Sequence, residues 1–149
     1  MINITTKTFN KLSSKEIYEI IVLRQAVFIV EQNCPYPDAD GLDFDSIHIC
    51  LYENNKLAAY ARVIPKGLSY PNYTAIGRVV SSDQFRGKGY GKIVFQKALQ
   101  TCLKTFPDDN IKLSSQTYIQ KFYADFGFKA TGNEYLEDDI PHIAMVYKN

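Results

Sequence analysis

Three glycines and three cations share seven residues, where an apolar stretch of the chain gives way to a helical pattern: Arg86, Gly87, Lys88, Gly89, Tyr90, Gly91 and Lys92. The first N–H groups of a helix have no partner within the helix, and the helix dipole adds positive potential there. Glycines also let a backbone approach a phosphate closely. This segment therefore predicts a binding site for a phosphate or a pyrophosphate.

The spacing of these glycines excludes the two commonest nucleotide-binding loops. A dinucleotide fingerprint requires G-x-G-x-x-G, but the glycines follow G-x-G-x-G and position 92 is lysine. A Walker loop requires G-K-[S/T], but Lys88 is followed by Gly89. The ligand must therefore be another molecule that carries a phosphate.

The same segment matches the pattern Q/R-x-x-G-x-G/A and resembles the pyrophosphate loop of the GNAT superfamily of N-acetyltransferases. The apolar stretch 76–81 is similar to that family's central strand, and residues 122–128 fit its F-Y-x-x-x-G-F segment. Residues 23–43, 59–63 and 140–143 resemble the ElaA-like branch of the family. The resemblance covers nearly the whole chain and implies the GNAT fold.

The resemblance implies that an acetyl group passes from acetyl-CoA directly to a primary amine of a small molecule or peptide, without a metal. The pyrophosphate would lie on the N–H groups of residues 87–92. The pantetheine arm would pair with the backbone of Val79, Val80 and Ser81 like an added strand. An N–H near Val79 or Val80 would polarise the thioester carbonyl. Gln116 stands where the family often has asparagine and would contact the pantetheine arm.

Tyr123 matches the family tyrosine that protonates the departing thiolate, although its position on an apolar helix stripe is equally typical of core packing. The acceptor must attack as a neutral amine, and a free alkylammonium titrates near about 10.4, so a base or a desolvated pocket is needed. Glu31 is the first candidate base, acting through a water. His48 and His142 are alternatives, because neutral imidazole suits this role near pH 7. Each also has a structural interpretation, as a satisfied strand histidine or a helix-end carboxylate.

Four acidic residues crowd one short loop: Asp38, Asp40, Asp43 and Asp45. They indicate either a site for a cationic acceptor, such as a polyamine or a lysine-bearing substrate, or a solvated turn with Asx caps. Three arginines interrupt apolar stretches elsewhere: Arg24, Arg62 and Arg78. Because a buried arginine needs a carboxylate or carbonyl partner, we expect them to tie this loop to the sheet.

The elements that must position these residues follow from hydrophobic periodicity. Strands are predicted at 2–9, 47–52, 56–64, 73–81, 111–115, 129–136 and 142–147. Helices are predicted from a capping box at Ser13 to about Glu31, from 89 to 105, and around 119–126, where Gly127 ends the helix. This order predicts an α/β (α+β) fold in one domain, 1–149, with a mixed, mostly antiparallel sheet and helices on both faces.

Composition narrows the functional classes. Seventeen basic and 16 acidic residues leave a net charge of +1, which argues against binding nucleic acid by phosphate neutralisation. Three cysteines without a C-x-x-C motif predict no disulfide framework and no zinc site. The chain has no signal pattern and no apolar run of about 20 residues, so we expect a cytoplasmic protein, monomer or homodimer, without a membrane partner. Two alternatives stay open: a CoA-binding regulator without turnover, and a nucleotide-binding domain.

Overall fold

A computed structural model describes all 149 residues. Seven strands form one sheet in the order β1-β2-β3-β4-β5-β7-β6. They are β1 (Ile2–Thr8), β2 (Ile47–Glu53), β3 (Lys56–Ile64), β4 (Thr74–Ser81), β5 (Ile111–Gln116), β6 (Lys129–Glu137) and β7 (Ile140–Tyr147). The helices are α1 (Ser14–Arg24), α2 (Tyr90–Thr105) and the short α3 (Gln120–Ala124).

The sheet is antiparallel except where β4 meets β5. Its two faces carry different cores, because successive side chains of a strand point to opposite faces. Ile49 and Leu51 of β2 belong to a large apolar cluster with α2 and Tyr123 of α3. Cys50, between them, packs with Tyr60 and with α1 in a second cluster on the other face. The predicted mixed sheet with helices on both faces is confirmed.

The first helix begins at the predicted capping box, where Ser13 Oγ accepts from the N–H of Glu16 and the Glu16 carboxylate accepts from the N–H of Ser13. It continues to Glu31, as predicted, but residues Gln25–Glu31 are π-helical. The same wide hydrogen-bond pattern continues past the helix, where the N–H of Cys34 donates to the carbonyl oxygen of Ile29, five residues earlier and 3.1 Å away. Such wide turns are frequent at functional sites.

Two tight hairpins bring distant segments together. Asn54 and Asn55 have φ angles of 50° and 67° in the turn that joins β2 to β3. Asp138 and Asp139, with φ of 51° and 63°, make a similar turn between β6 and β7. The second turn lengthens both predicted strands, to Glu137 and from Ile140. None of the helices combines the length and the apolar character that a membrane span requires.

Candidate active site

A cleft opens in the middle of the sheet, between β4 and β5. The two strands pair only at Thr74–Ile111 and Ala75–Lys112, after which they separate. A cavity of about 200 Å³ lies against both strands, and it is lined by Ile76, Gly77, Arg78 and Val79 of β4 and by Leu113, Ser114 and Gln116 of β5. Beyond Ala75, the β5-facing edge of β4 therefore has no strand partner within the protein.

A bulge distorts β4 where it borders the cavity. The register between β3 and β4 shifts between Tyr60 and Arg62. Arg78 of β4 has a φ of 53°, a left-handed conformation that is uncommon outside glycine. Bulges of this kind interrupt strand pairing and re-aim the neighbouring backbone groups. Val79 follows directly after this residue and lines the cavity, whereas Val80 and Ser81 continue β4 toward the glycine-rich segment.

The glycine-rich segment forms the turn into α2. Gly89 directly precedes the helix and has a φ of 77°, which favours glycine over other residues. A Cβ atom on Gly91 would lie 3.1 Å from Ser81 Oγ, so the start of α2 rests closely against the end of β4. The free N–H groups of the first helical turn therefore lie beside the open edge of β4.

The side chains of this turn are engaged by two carboxylates. Arg86 donates to both carboxylate oxygens of Glu31, at 2.5 and 2.8 Å. Lys88 Nζ lies 2.8 Å from Glu53 Oε1, which also accepts from the Tyr90 hydroxyl. The hydrogen bond from Arg86 lowers the pKa of Glu31, which makes this carboxylate a weaker base. Glu31, the first candidate base, lies at the glycine-rich segment that leads into α2 and does not line the cavity.

Tyr123 is packed in the core and also borders the cavity. Its ring packs edge-on against Phe95, with the centroids 5.1 Å apart, and the residue is 8% exposed. It also lines the cavity. Burial raises the pKa of Tyr123 to about 12, and no hydrogen bond within the protein lowers it. The side chain is therefore a neutral phenol at the cavity wall, with its O–H free to donate.

The two candidate histidines have opposite environments. His142 of β7 lines the cavity with Tyr123 and Gln116, and its Nδ1 lies 2.7 Å from the carbonyl oxygen of Ile140. Because a carbonyl oxygen only accepts, Nδ1 carries a hydrogen, and Nε2 holds the lone pair of the neutral ring.

His48 of β2 lies outside the cavity and is 1% exposed. Both of its ring nitrogens are used, by the Tyr60 hydroxyl at 2.6 Å and by the carbonyl oxygen of Asp43 at 2.9 Å. Burial lowers the pKa of His48, so the ring is neutral and structural. Its place in the fold does not support a catalytic role.

The acidic loop is bound to the sheet by the three arginines. Arg24 Nε lies 2.8 Å from Asp38 Oδ2, and its Nη1 lies 2.7 Å from Asp43 Oδ1. Arg62 donates to Asp43 at 2.7 Å and to both carboxylate oxygens of Asp40. The expected tie is thus present for Asp38, Asp40 and Asp43, while Asp45 is exposed and Asp40 also caps the turn by accepting from the N–H of Leu42.

The third arginine links this cluster to the active cleft. Arg78 Nε lies 2.9 Å from Asp38 Oδ1, and its guanidinium carbon lies 5.5 Å from the centroid of the Tyr36 ring. Arg78 and Tyr36 both line the cavity. The buried cluster therefore supports one wall of the cleft.

Sequence reasoning missed several residues that line the same cavity. They are Phe28, Gln32, Cys34 and Tyr36 after the first helix, Ser114 of β5, Tyr118 and Ile119 before α3, and Glu137, Asp138 and Ile140 at the last hairpin. The pair Asp138-Asp139 between two predicted strands carries the turn signal that would have located the hairpin. No local pattern places that turn opposite Tyr36, because the two segments are about a hundred residues apart.

Comparison with known proteins agrees with this geometry. Residues 39–149 match the family model described as an acetyltransferase (GNAT) domain. The chain belongs to the GNAT acetyltransferase family. Protein ElaA of Escherichia coli is 43% identical over 138 residues, which cover 91% of this chain and 90% of that protein.

Solved structures place the chain in the ElaA-like branch of this family. The crystal structure of E. coli ElaA superposes with a TM-score of 0.92 at 39% identity, covering 99% of this chain and 100% of the other. An acyl-CoA N-acyltransferase from Pseudomonas aeruginosa gives the same TM-score of 0.92 and 39% identity, covering 99% of each chain. The GNAT fold, with its open cleft between β4 and β5, is therefore established for this protein.

Proposed function

We propose that this protein, acting as one domain over residues 1–149, transfers an acetyl group from acetyl-CoA to a primary amine by direct attack. The observation that carries the proposal is the cavity between β4 and β5. It has the free phenol of Tyr123 in its wall, and the start of α2 lies against the far end of β4. We also propose a cytoplasmic location, which suits three free, buried cysteines.

The residues present fit acetyl-CoA in three ways. The α2 turn offers N–H donors and the cations Arg86, Lys88 and Lys92 to a pyrophosphate. The unpaired edge of β4 at residues 79–81 offers backbone groups to the amides of a pantetheine arm. Gln116 lines the cavity and would contact that arm. Bound acetyl-CoA supplies an activated acyl carbon, and the bulge at Arg78 would direct an N–H of Val79 or Val80 at its carbonyl oxygen.

Tyr123 would hydrogen-bond the sulfur as the carbon–sulfur bond breaks. Burial holds the pKa of this phenol at about 12, above the value near 8.5 typical of a thiol, so the O–H is retained until charge develops on sulfur. Hydrogen bonds to ionised acceptors are stronger than neutral ones. Tyr123 therefore stabilises the departing thiolate more than it stabilises the intact thioester, which lowers the barrier.

His142 is the base that the geometry supports, in preference to Glu31 and His48. Its Nδ1–H is held by the Ile140 carbonyl, so Nε2, which lies 3.6 Å from Glu137 Oε2, is the nitrogen that would take a proton from the attacking amine. The balance is complete without another reactant. A carbon–nitrogen bond forms, the carbon–sulfur bond breaks, and one proton passes from the amine to the CoA thiol by way of His142 and Tyr123.

A covalent route through Cys34 is the less favourable alternative. Cys34 lines the cavity, but desolvation and the nearby carboxylates of Asp138 and Asp139 raise the pKa of its thiol. A nucleophilic cysteine requires the thiolate form, which these surroundings oppose. Direct attack by the amine is therefore the proposed mechanism.

Release of free CoA thiol, followed with a panel of primary amines, tests the proposal. Replacement of Tyr123 by phenylalanine should lower kcat about 100-fold while the Kd for CoA stays within about twofold. Tyr118→Phe is the matched control, because Tyr118 lines the same cavity but is 77% exposed. Thiol release no faster than hydrolysis with every amine, together with firm CoA binding, would favour a CoA-binding regulator instead.

A further inference from the structure

We propose that the acceptor is a small aliphatic diamine or polyamine whose second ammonium group is bound by Glu137 and Asp138. This inference rests on the proposed function, since it names the substrate class of the same site. The observation behind it is a pair of carboxylates without a strong cationic partner, at the wall of a cavity that also holds a free phenol and a histidine.

The charge balance around the cavity is negative. Four charged or titratable groups other than tyrosine and cysteine line it: Arg78, Glu137, Asp138 and His142. Arg78 is neutralised by Asp38, 2.9 Å away, and lies 3.4 Å from Asp40. Glu137 has only His142 Nε2 at 3.6 Å, and Asp138 forms no ion pair. Two carboxylates thus lack a full counter-charge.

A second observation shows that these carboxylates border a reaction site. Tyr123 lines the same cavity, is more than nine-tenths buried, and has no hydrogen-bond partner within the protein for its hydroxyl. The hydroxyl is therefore available to a ligand in this cavity. The carboxylates and the unpartnered phenol therefore belong to one cavity built for a ligand.

The backbone of the turn that carries these carboxylates is held in place, while both side chains are exposed to solvent. They occupy the tight β6–β7 turn, where Asp138 has a φ of 51°. Cys34 Sγ lies 3.7 Å from the carbonyl oxygen of Asp138, which joins the turn to the loop after the first helix. Ser114 Oγ lies 3.5 Å from Glu137 Oε1 and also bonds the Tyr135 hydroxyl. A charged site that is already ordered loses less entropy when it binds a cation.

The chemistry of acyl transfer then favours an acceptor that carries two amino groups. The attacking amine must be neutral, so it cannot itself balance the two carboxylates at the moment of reaction. A second ammonium on the same molecule can do so and stay charged. Phe28, Tyr36 and Tyr118 also line the cavity and offer apolar surface to a methylene chain.

The reaction is balanced as before. The neutral amine forms the new bond to the acyl carbon, the carbon–sulfur bond breaks, and one proton is transferred to the CoA thiol. The second ammonium takes no part in bond making and leaves on the N-acetylated product with its proton.

The test compares 1,4-diaminobutane with butylamine, which has the same chain length but one nitrogen. We expect kcat/KM for the diamine to exceed that for the monoamine by about 10- to 100-fold in the unmodified protein, through KM rather than kcat. The ratio of the two values should fall toward one in the double variant Glu137→Gln, Asp138→Asn. Asp45→Asn is the control, because Asp45 is an exposed acid outside the cavity.

Each outcome decides between the two proposals. Equal use of diamine and monoamine would overturn the inference while leaving amine acetylation in place. So would a double variant that stays folded, as judged by its Tm, and loses both amines equally. No thiol release with any amine would overturn the proposed function and the inference together. A preference for the diamine that weakens with added salt supports the inference, because charge pairing near solvent is screened.

Discussion

The molecule contains two acidic regions that look alike in sequence and differ in surroundings. Asp38, Asp40 and Asp43 lie in the loop after the first helix and are bound by three arginines. Glu137 and Asp138 lie at the β6–β7 turn and have no arginine or lysine partner. A count of acidic residues favours the first region as a cation site. The structure instead leaves the second one free to bind a cation.

Burial accounts for the difference. Arg24 and Arg62 are 1% and 2% exposed, and a buried guanidinium must be paired. Desolvation by itself would raise the pKa of Asp40, but the hydrogen bond and charge of Arg62 outweigh it and lower the pKa to about 2. These carboxylates therefore serve the fold, and their charge is not available to a substrate.

Replacement of Asp43 should have the largest effect on stability, because both Arg24 and Arg62 donate to its Oδ1. Asp43→Asn should lower the free energy of unfolding by about 3–5 kcal/mol, the usual cost of breaking a buried ion pair. The matched change Asp138→Asn, in the free region, should stay within about 0.5 kcal/mol. Urea denaturation of both variants measures the contrast, and equal losses would show that the two regions do not differ as described.

The pH dependence of stability should also separate the regions. The pKa of His48 is lowered in the folded state, so its protonation favours unfolding and stability falls as pH drops below about 6.5. The pKa values of Asp40 and Asp43 are also lowered, so the stability that they contribute is present above about 4 and is lost as pH approaches 2.

Thermal melts at intervals between pH 8 and pH 2 would show these two steps. His48→Gln should flatten the first step and leave the second. A double variant of Glu137 and Asp138 should retain both steps, because neither group belongs to the buried cluster. A first step that persists without His48 would assign it to another group.

Replacement of Glu31 should have the smallest effect of these changes, since Glu31 is an exposed carboxylate paired with an exposed arginine. Its ion pair with Arg86 has side chains 44% and 43% exposed, and such pairs contribute at most about 1 kcal/mol. Glu31→Gln should tighten CoA binding up to about fivefold, because the carboxylate no longer competes for Arg86. Calorimetric titration with CoA measures this, with Glu19→Gln as control because Glu19 pairs with Lys15 and not with Arg86. A hundredfold loss of kcat would instead restore Glu31 as the base.

Particular elements show which features of the fold could be predicted from the sequence. The capping box at Ser13 and the helix from 89 to 105 were predicted correctly, since each depends on residues near one another in the chain. The π-helical turns at Gln25–Glu31 were missed, because the apolar spacing of those residues also fits an α-helix. The sequence could not show which histidine is the better candidate base, since each lies in an apolar stretch. The two differ only in their hydrogen-bond partners, which the structure provides.

The sequence by itself determined the family and the glycine-rich turn into α2, because a helix start with glycines and cations is built from consecutive residues. The tertiary structure decided which charges are available. Asp43 is bound by Arg24 and Arg62, each 19 positions away, while Asp138 meets Cys34 across 104 positions. Partners this far apart leave no local pattern, and the pairing of charges depends on which side chains the sheet brings together in a buried space.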